Sequence, residues 1–289
     1  MKVGLSTWSL FGAINKGELN AVTLLDWIKE NGGDYVEYVP AGFTLTGNDK
    51  LIAEVKNRAD EIDLPIEHYS TGADTLKDYD EAVKFLQKEI DTAASLGCKT
   101  FRHDLVMVFD PAYCTVQNFE KDFPTIIKAA KELNEYAKQY NIVTSVENHG
   151  YFMNKADNCI RLVEAVESDT FGITLDVGNF ASVDEDCVVA TKKCLPYAKM
   201  VHFKDWYFRN PRHMGKFEEF LTKECFSRTL GGVLCRGAMI GNGDLDLISI
   251  SESVKDFDYK GCVTVEFEGH EESKFGSRIG LAATKALLF

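Results

Sequence analysis

The sequence predicts a single-domain α/β chain, a (β/α)8 TIM barrel formed by residues 1–289. Three observations predict it. Eight short apolar or β-branched runs alternate with longer amphipathic stretches, the pattern of strands joined by crossover helices. The count of eight suits a closed barrel, and no G-x-G-x-x-G follows the first run, as a doubly wound dinucleotide-binding sheet would have. The length of 289 residues, undivided by a Pro/Gly/Ser-rich linker, is one that such barrels use for a single unit.

The strand candidates, in order, are KVGLST, DYVEYV, LPIEHY, KTFRHDL, IVTSVE, FGITLD, AKMVHFK and CVTVEF. Between them run TLLDWIKEN, DKLIAEVKNRADEI, YDEAVKFLQKEIDTAASLG, FEKDFPTIIKAAKELNEYAKQY, KADNCIRLVEAVE, DEDCVVATKKCLPYA and LDLISISESVKDF, and SRIGLAATKALLF closes the series. Their apolar residues recur at helical spacing, and several stop at Gly or Asn just before the next strand, as in SLGCKT. Two connections are long. One follows the fourth strand, from VMVFDPAYC to NFEKDF. The other runs from Trp206 to about Asn242, with a short helix GKFEEFLTKE inside it and enough aromatics and arginines to suggest a lid or a dimer contact.

Composition narrows the function. A net charge of −13, from 45 acidic against 32 basic residues, argues against a nucleic-acid partner and for a small neutral or weakly anionic substrate. The start of the chain is too short and polar for a signal peptide, and no stretch approaches the roughly 20 apolar residues of a membrane span. The eight cysteines are scattered without a C-x-x-C pair, which reads as reduced thiols in a cytoplasmic protein. A homo-oligomer is compatible with all of this.

In a (β/α)8 barrel the C-terminal strand ends converge on one mouth. The ends here offer Trp8, then Glu37, then His68, then Arg102, His103 and Asp104; the later ones offer Glu147 and His149, Asp176 and Asn179, His202 and Lys204, and Glu266 and Glu268. Glu147, Asp176, His202 and Glu266 close apolar runs on four consecutive strands. Three carboxylates crowded together repel unless a cation lies between them, and three carboxylates with one imidazole suit one divalent metal ion per chain. Mn²⁺ is the first choice, with Mg²⁺, Co²⁺ and Zn²⁺ as alternatives.

The motifs VENHG, LDVGN, VHFKD, IGNGDLD and VEFEG, in this order, resemble the strand-end motifs of the sugar phosphate isomerase/epimerase barrels related to xylose isomerase, which include tagatose-type epimerases, hydroxypyruvate isomerase and inosose dehydratase. The resemblance covers essentially the whole chain and is clearest from Val143 to Gly269. It implies that Glu147, Asp176, His202 and Glu266 hold the metal, and that Glu147 and Glu266 also act as acid and base on opposite faces of a substrate carbon. Two positions depart from the tagatose-type pattern. Asn179 stands where those enzymes carry a His, and Arg209 falls one place later than their Arg. ENHG and HFKD look closer to the inosose dehydratase side.

The expected chemistry is proton abstraction α to a carbonyl of a keto-sugar or cyclitol, through a metal-stabilised enediolate. Isomerisation or epimerisation is the leading outcome. A lyase reaction, of inosose-dehydratase or 3-keto-glycoside-cleaving type, is the alternative at the same site. An abasic-site endonuclease-like hydrolase, a glycoside hydrolase working with two carboxylates alone and a non-catalytic barrel are further rivals.

His149 shares strand parity with Glu147 and is open between a loop hydrogen bond and a catalytic role. The candidate substrate contacts are Trp8, His68, Asn179, Lys204, Trp206 and Arg236. Each has a plainer reading: packing for the tryptophans, a satisfied core histidine for His68 as for His103, and an ion pair with Asp205 for Lys204. Arg102 is expected in a structural salt bridge, and Arg236 is a candidate for holding a carboxylate or phosphate. Asn148 is assigned to the loop. IGNGDLDL lacks the Lys-Ser/Thr of a P-loop and reads as a tight turn into a helix capped by Asp244 or Asp246.

Overall fold

The computed structural model describes the backbone of residues 1–289 and their side chains other than those of Leu221 and Glu224. In chain order, β1 (Lys2–Ser6) is followed by α1 (Phe11–Asn15) and α2 (Thr23–Glu30), β2 (Val36–Tyr38) by α3 (Asp49–Glu61), and β3 (Ile66–Gly72) by α4 (Tyr79–Leu96). Then come β4 (Thr100–Asp104) and α5 (Val116–Lys138), β5 (Val143–Glu147) with α6 (Gly150–Met153) and α7 (Ala156–Val166), and β6 (Phe171–Asp176) with α8 (Cys187–Cys194). After β7 (Ala198–Phe203) the chain forms β8 (Asp205–Arg209), α9 (Glu218–Glu224), β9 (Ser227–Arg228), β10 (Leu234–Ala238) and α10 (Leu247–Asp256), and it ends with β11 (Cys262–Val265) and α11 (Ser273–Leu288).

Eight of these strands close into a barrel in the order β1-β11-β7-β6-β5-β4-β3-β2. The closing seam is parallel, with Lys2 opposite Cys262 and Leu5 opposite Val265. The expected (β/α)8 fold is therefore the observed one. Its physical basis is visible in β6, where all six residues of FGITLD are buried. A parallel strand covered on both faces reads as a near-continuous apolar run rather than an alternating one, here interrupted by Thr174 and closed by Asp176.

The helices follow from equally local signals. In α4 the Asp78 carboxylate accepts from the N–H of Glu81 at 3.0 Å, capping the first turn. Val83, Leu86, Ile90 and Ala93 recur along its buried face. Gly97, at φ 82°, ends it in the left-handed conformation that a side chain disfavours. Asp246 caps α10 through the N–H of Ser249, which decides between the two capping candidates.

The connection after β7 is more structured than expected. It carries α9 over the residues read as a short helix. It also carries a three-stranded antiparallel sheet, in the order β8-β10-β9, where the sequence shows no strand pattern. The strands of this accessory sheet are five, two and five residues long; β8 pairs with β10 across more than 20 intervening positions, and β9 with β10 across a short turn. Short strands paired at long range leave no periodicity in the sequence. The eight cysteines are all free thiols, and among the described residues no helix is long and apolar enough to cross a membrane.

Candidate metal centre and adjoining cavity

Four barrel strands in unbroken spatial order, β5, β6, β7 and β11, position Glu147, Asp176, His202 and Glu266. Glu147 and Asp176 are the last residues of β5 and β6, His202 lies one before the end of β7, and Glu266 directly follows β11. Register aligns them: Asp176 is the Cα partner of His202, and His202 that of Thr264. Each offers one ligand atom, these atoms lie within 4.8 Å of one another, and all four side chains are buried.

Each ligand candidate is held from outside the cluster. Asp176 Oδ1 accepts from the N–H groups of Gly178 and Asn179 at 2.8 and 3.0 Å, which turns Oδ2 towards the centre. Glu147 Oε1 accepts from the Asn179 amide at 3.3 Å, and its other oxygen pairs with Arg102. His202 Nε2 stands 2.9 Å from Glu37 Oε2, leaving Nδ1 at 3.5 Å from Glu147 Oε1 and 3.8 Å from Glu266 Oε2. The His202–Glu37 contact is close in distance but does not meet hydrogen-bond alignment, so charge holds it more than direction does. Glu37 in turn accepts from the Ser70 hydroxyl.

Lys204 is the buried cation of the site. Its Nζ lies 2.7 Å from Glu266 Oε2, 3.2 Å from Asp176 Oδ2 and 3.1 Å from Glu268 Oε2. The expected pairing with Asp205 is corrected. The Asp205 carboxylate instead accepts backbone N–H groups of Trp206, Gly241 and Gly243 at 2.8 to 2.9 Å, fastening the IGNGDLDL turn. Successive strand residues point to opposite faces, so Lys204 joins His202 inside while Asp205 cannot.

The electrostatics fit a cation. Six carboxylates (Glu37, Asp104, Glu147, Asp176, Glu266 and Glu268) gather around His202 and two permanent cations, Arg102 and Lys204. Burial pushes the Asp176 carboxyl above its usual range despite Lys204. Burial acts on Glu266 in the same sense, but Lys204 and His202 outweigh it and hold that carboxyl well below its usual range. Asp176 Oδ2 and His202 Nδ1 are buried without a hydrogen-bond partner. Three carboxylates and an imidazole brought together in this way, with unpartnered buried atoms on Asp176 and His202, are the donor set of a divalent-cation site.

Beside the cluster lies a cavity of about 330 Å³, lined among others by Trp8, Arg102, His149, Lys204, Glu266 and Glu268. The Trp8 indole N–H donates to Glu268 Oε1 at 2.8 Å. His149 Nδ1 is 2.8 Å from Asp104 Oδ2, and its side chain keeps 34% exposure. Arg102, near both Asp104 and Glu147, forms the expected ion pairs.

Other expected contacts fall elsewhere. His68 does not reach the mouth: β3 continues four residues beyond it to Gly72, and its ring lies edge-on to Tyr35 deep in the barrel. His103 faces Phe101 and Phe171, as a core histidine does. Trp206 and Arg236 line a separate hollow beside Glu268. Arg209 pairs with Asp244 at 3.0 Å on an exposed surface. Asn148 serves more than a loop. Its side chain donates to the carbonyl of Asp176 and accepts from the N–H of the same residue, both at 2.8 Å, bridging β5 to β6.

Sequence reasoning gave no role to Glu37 and Glu268. Both were visible at strand ends, but their partners, His202 and Trp8 with Lys204, are far away in the chain.

Comparison with known proteins agrees with this architecture. An inosose dehydratase of Lactiplantibacillus plantarum is 26% identical over 171 residues, 58% of this chain and 53% of the relative. The match thus spans about half of the relative's length. The crystal structure of 3-keto-D-glucoside 4-epimerase from E. coli superposes with a TM-score of 0.73 at 17% identity, covering 99% of each chain. A xylose isomerase-like TIM barrel protein from Mycobacterium smegmatis in complex with magnesium gives 0.70 at 16% identity, covering 100% of this chain and 98% of the other. At these identities the structural likenesses speak for the fold alone. The family described as xylose isomerase-like TIM barrel matches residues 25–287, nearly the entire sequence, and the chain belongs to that family.

Proposed function

We propose that this protein is a divalent-metal-dependent isomerase or epimerase of a keto-sugar or cyclitol, with Glu147, Asp176, His202 and Glu266 as metal ligands. The observation that carries the reading is the convergence of four ligand atoms within 4.8 Å beside a cavity the size of one sugar ring. The magnesium complex of the Mycobacterium smegmatis barrel supports a divalent ion, and Mn²⁺ is our choice for this donor set.

A bound divalent ion supplies Lewis acidity, polarising a carbonyl and making its α-hydrogen more acidic. The chain's residues do the rest. Glu147 and Glu266 stand at the two ends of the four-strand arc β5-β6-β7-β11, so they approach a substrate carbon from two sides. One carboxylate takes the proton and the other returns one to the opposite face, or the first delivers it to the neighbouring carbon. Lys204 and Arg102 face the charge that develops when the proton leaves. Trp8, held by Glu268, offers its ring as a wall of the cavity.

A lyase at the same site is the second reading, and His149 favours it. Asp104 orients this imidazole, which lines the cavity outside the ligand set. It is placed to protonate a departing hydroxyl or glycosyl oxygen. The inosose dehydratase relative supports the same reading.

The deciding experiment incubates ketoses, inososes and 3-keto-glycosides with the protein and Mn²⁺ in heavy water. Deuterium at an α-carbon without elimination supports isomerase or epimerase. Release of water or an aglycone, slowed by His149→Asn, supports the lyase. A protein that takes up no divalent ion and exchanges no proton overturns both.

A further inference from the structure

Glu268 borders several hollows at the barrel mouth, and two of them flank it on the side of the reaction cluster and of the accessory sheet. One is the cavity beside the metal cluster. The other, of about 380 Å³, lies against the accessory sheet and is walled by Trp206, Lys223, Phe226, Arg236 and His270. We infer that this second hollow is a substrate subsite that takes an oxyanion, a carboxylate or phosphate carried by a sugar whose reacting end occupies the first cavity. The inference rests on the sugar reading of that first cavity.

Arg236 is the main reason. It lies on β10 opposite Tyr207 of β8, and this pairing sets its guanidinium over the Tyr207 ring at 5.0 Å, with Phe226 at 5.6 Å. Stacking uses the faces of the guanidinium and leaves its N–H edge free for a planar acceptor. Its Nε is buried and finds no hydrogen-bond partner among the described residues. An arginine held by aromatic faces, with unspent donors in a hollow, is pre-organised for bidentate oxyanion binding.

The Glu268 carboxylate, which borders both hollows, does not oppose this. Glu268 is already engaged by Trp8 at 2.8 Å and by Lys204 at 3.1 Å. In a chain of net charge −13, a cationic wall next to the reaction cavity also selects for anionic ligands.

The test is calorimetric titration with D-glucuronate, D-glucose 6-phosphate, D-glucose and inorganic phosphate, with a chelator present so that no bound cation holds the anion. The two anionic sugars are expected to bind at least about tenfold more tightly than D-glucose. Arg236→Met should abolish the difference, and Arg236→Lys, which keeps charge but loses the fork, should restore part of it. Arg236-dependent binding of phosphate alone supports the oxyanion site and identifies a free anion as its occupant. Equal binding of D-glucose and the anionic sugars, or a preference that survives Arg236→Met, overturns the inference. If Arg236→Met does not fold, Arg236→Lys decides, an unchanged preference counting against the subsite. Chelation removes the metal from the measurement, so a negative result leaves the heavy-water experiment intact, and failure of that experiment leaves this one readable.

Discussion

Glu37 Oε2 lies 2.9 Å from His202 Nε2, and both side chains are buried inside the barrel. The carboxylate faces the ring nitrogen that points away from the ligand cluster, so it fixes the imidazole and keeps Nδ1 turned towards Glu147 and Glu266. Such outer partners typically contribute 10–100-fold to metal affinity. Glu37→Gln is therefore expected to weaken divalent-ion binding by roughly that factor, and His202→Ala to remove it, as read by chelator competition. Full affinity in both variants would exclude this nitrogen as a ligand.

Lys204 occupies the space between two of the proposed ligands, 2.7 Å from Glu266 and 3.2 Å from Asp176. An ammonium there repels an incoming cation while stabilising developing negative charge on a substrate. Lys204→Met is expected to bind Mn²⁺ about tenfold more tightly and to lose on the order of 10²-fold in kcat. Tighter metal with unchanged kcat would leave Lys204 only its charge-balancing role.

His103 gives a pH dependence independent of the metal ligands. Its ring packs near Phe101 and Phe171, with both nitrogens buried and unpartnered. Burial pulls its pKa from 6.5 down to about 4, against the attraction of Asp104 and with the repulsion of Arg102. The unfolded chain therefore takes up this proton first as pH falls. Stability is lost from about pH 6.5 down to about pH 4 and levels below, by at most about 3 kcal/mol from this residue. His103→Leu should flatten the denaturation free energy against pH across that window. An unchanged slope would show that His103 takes up its proton equally in the folded and unfolded chain.

Gly237 ties the accessory sheet to the barrel. It pairs with Gly269, and a Cβ there would meet the carbonyl oxygen of Glu268 at 2.3 Å. Gly237→Ala must push that backbone away. The expected cost is about 1–3 kcal/mol in stability, together with weaker binding of any ligand that touches Glu268. A variant with wild-type melting temperature and binding would show the seam to be yielding.

The sequence by itself determined the barrel, the helix limits at Asp78 and Gly97, and the four residues on consecutive strand ends. These depend on local signals: apolar runs, helical spacing, caps and one left-handed stop. Parity along β7 was also legible, placing Lys204 on the side of His202, although the ion pair with Asp205 was favoured against it. Tertiary structure alone decided the rest. The length of β3 put His68 below the mouth, and closure of the barrel brought Glu37 to His202 and Glu268 to Trp8. Antiparallel pairing of β8 with β10 placed Arg236 over Tyr207. Each of these joins positions that the chain keeps apart, and a contact made by closure or register leaves no trace in the residues flanking either partner.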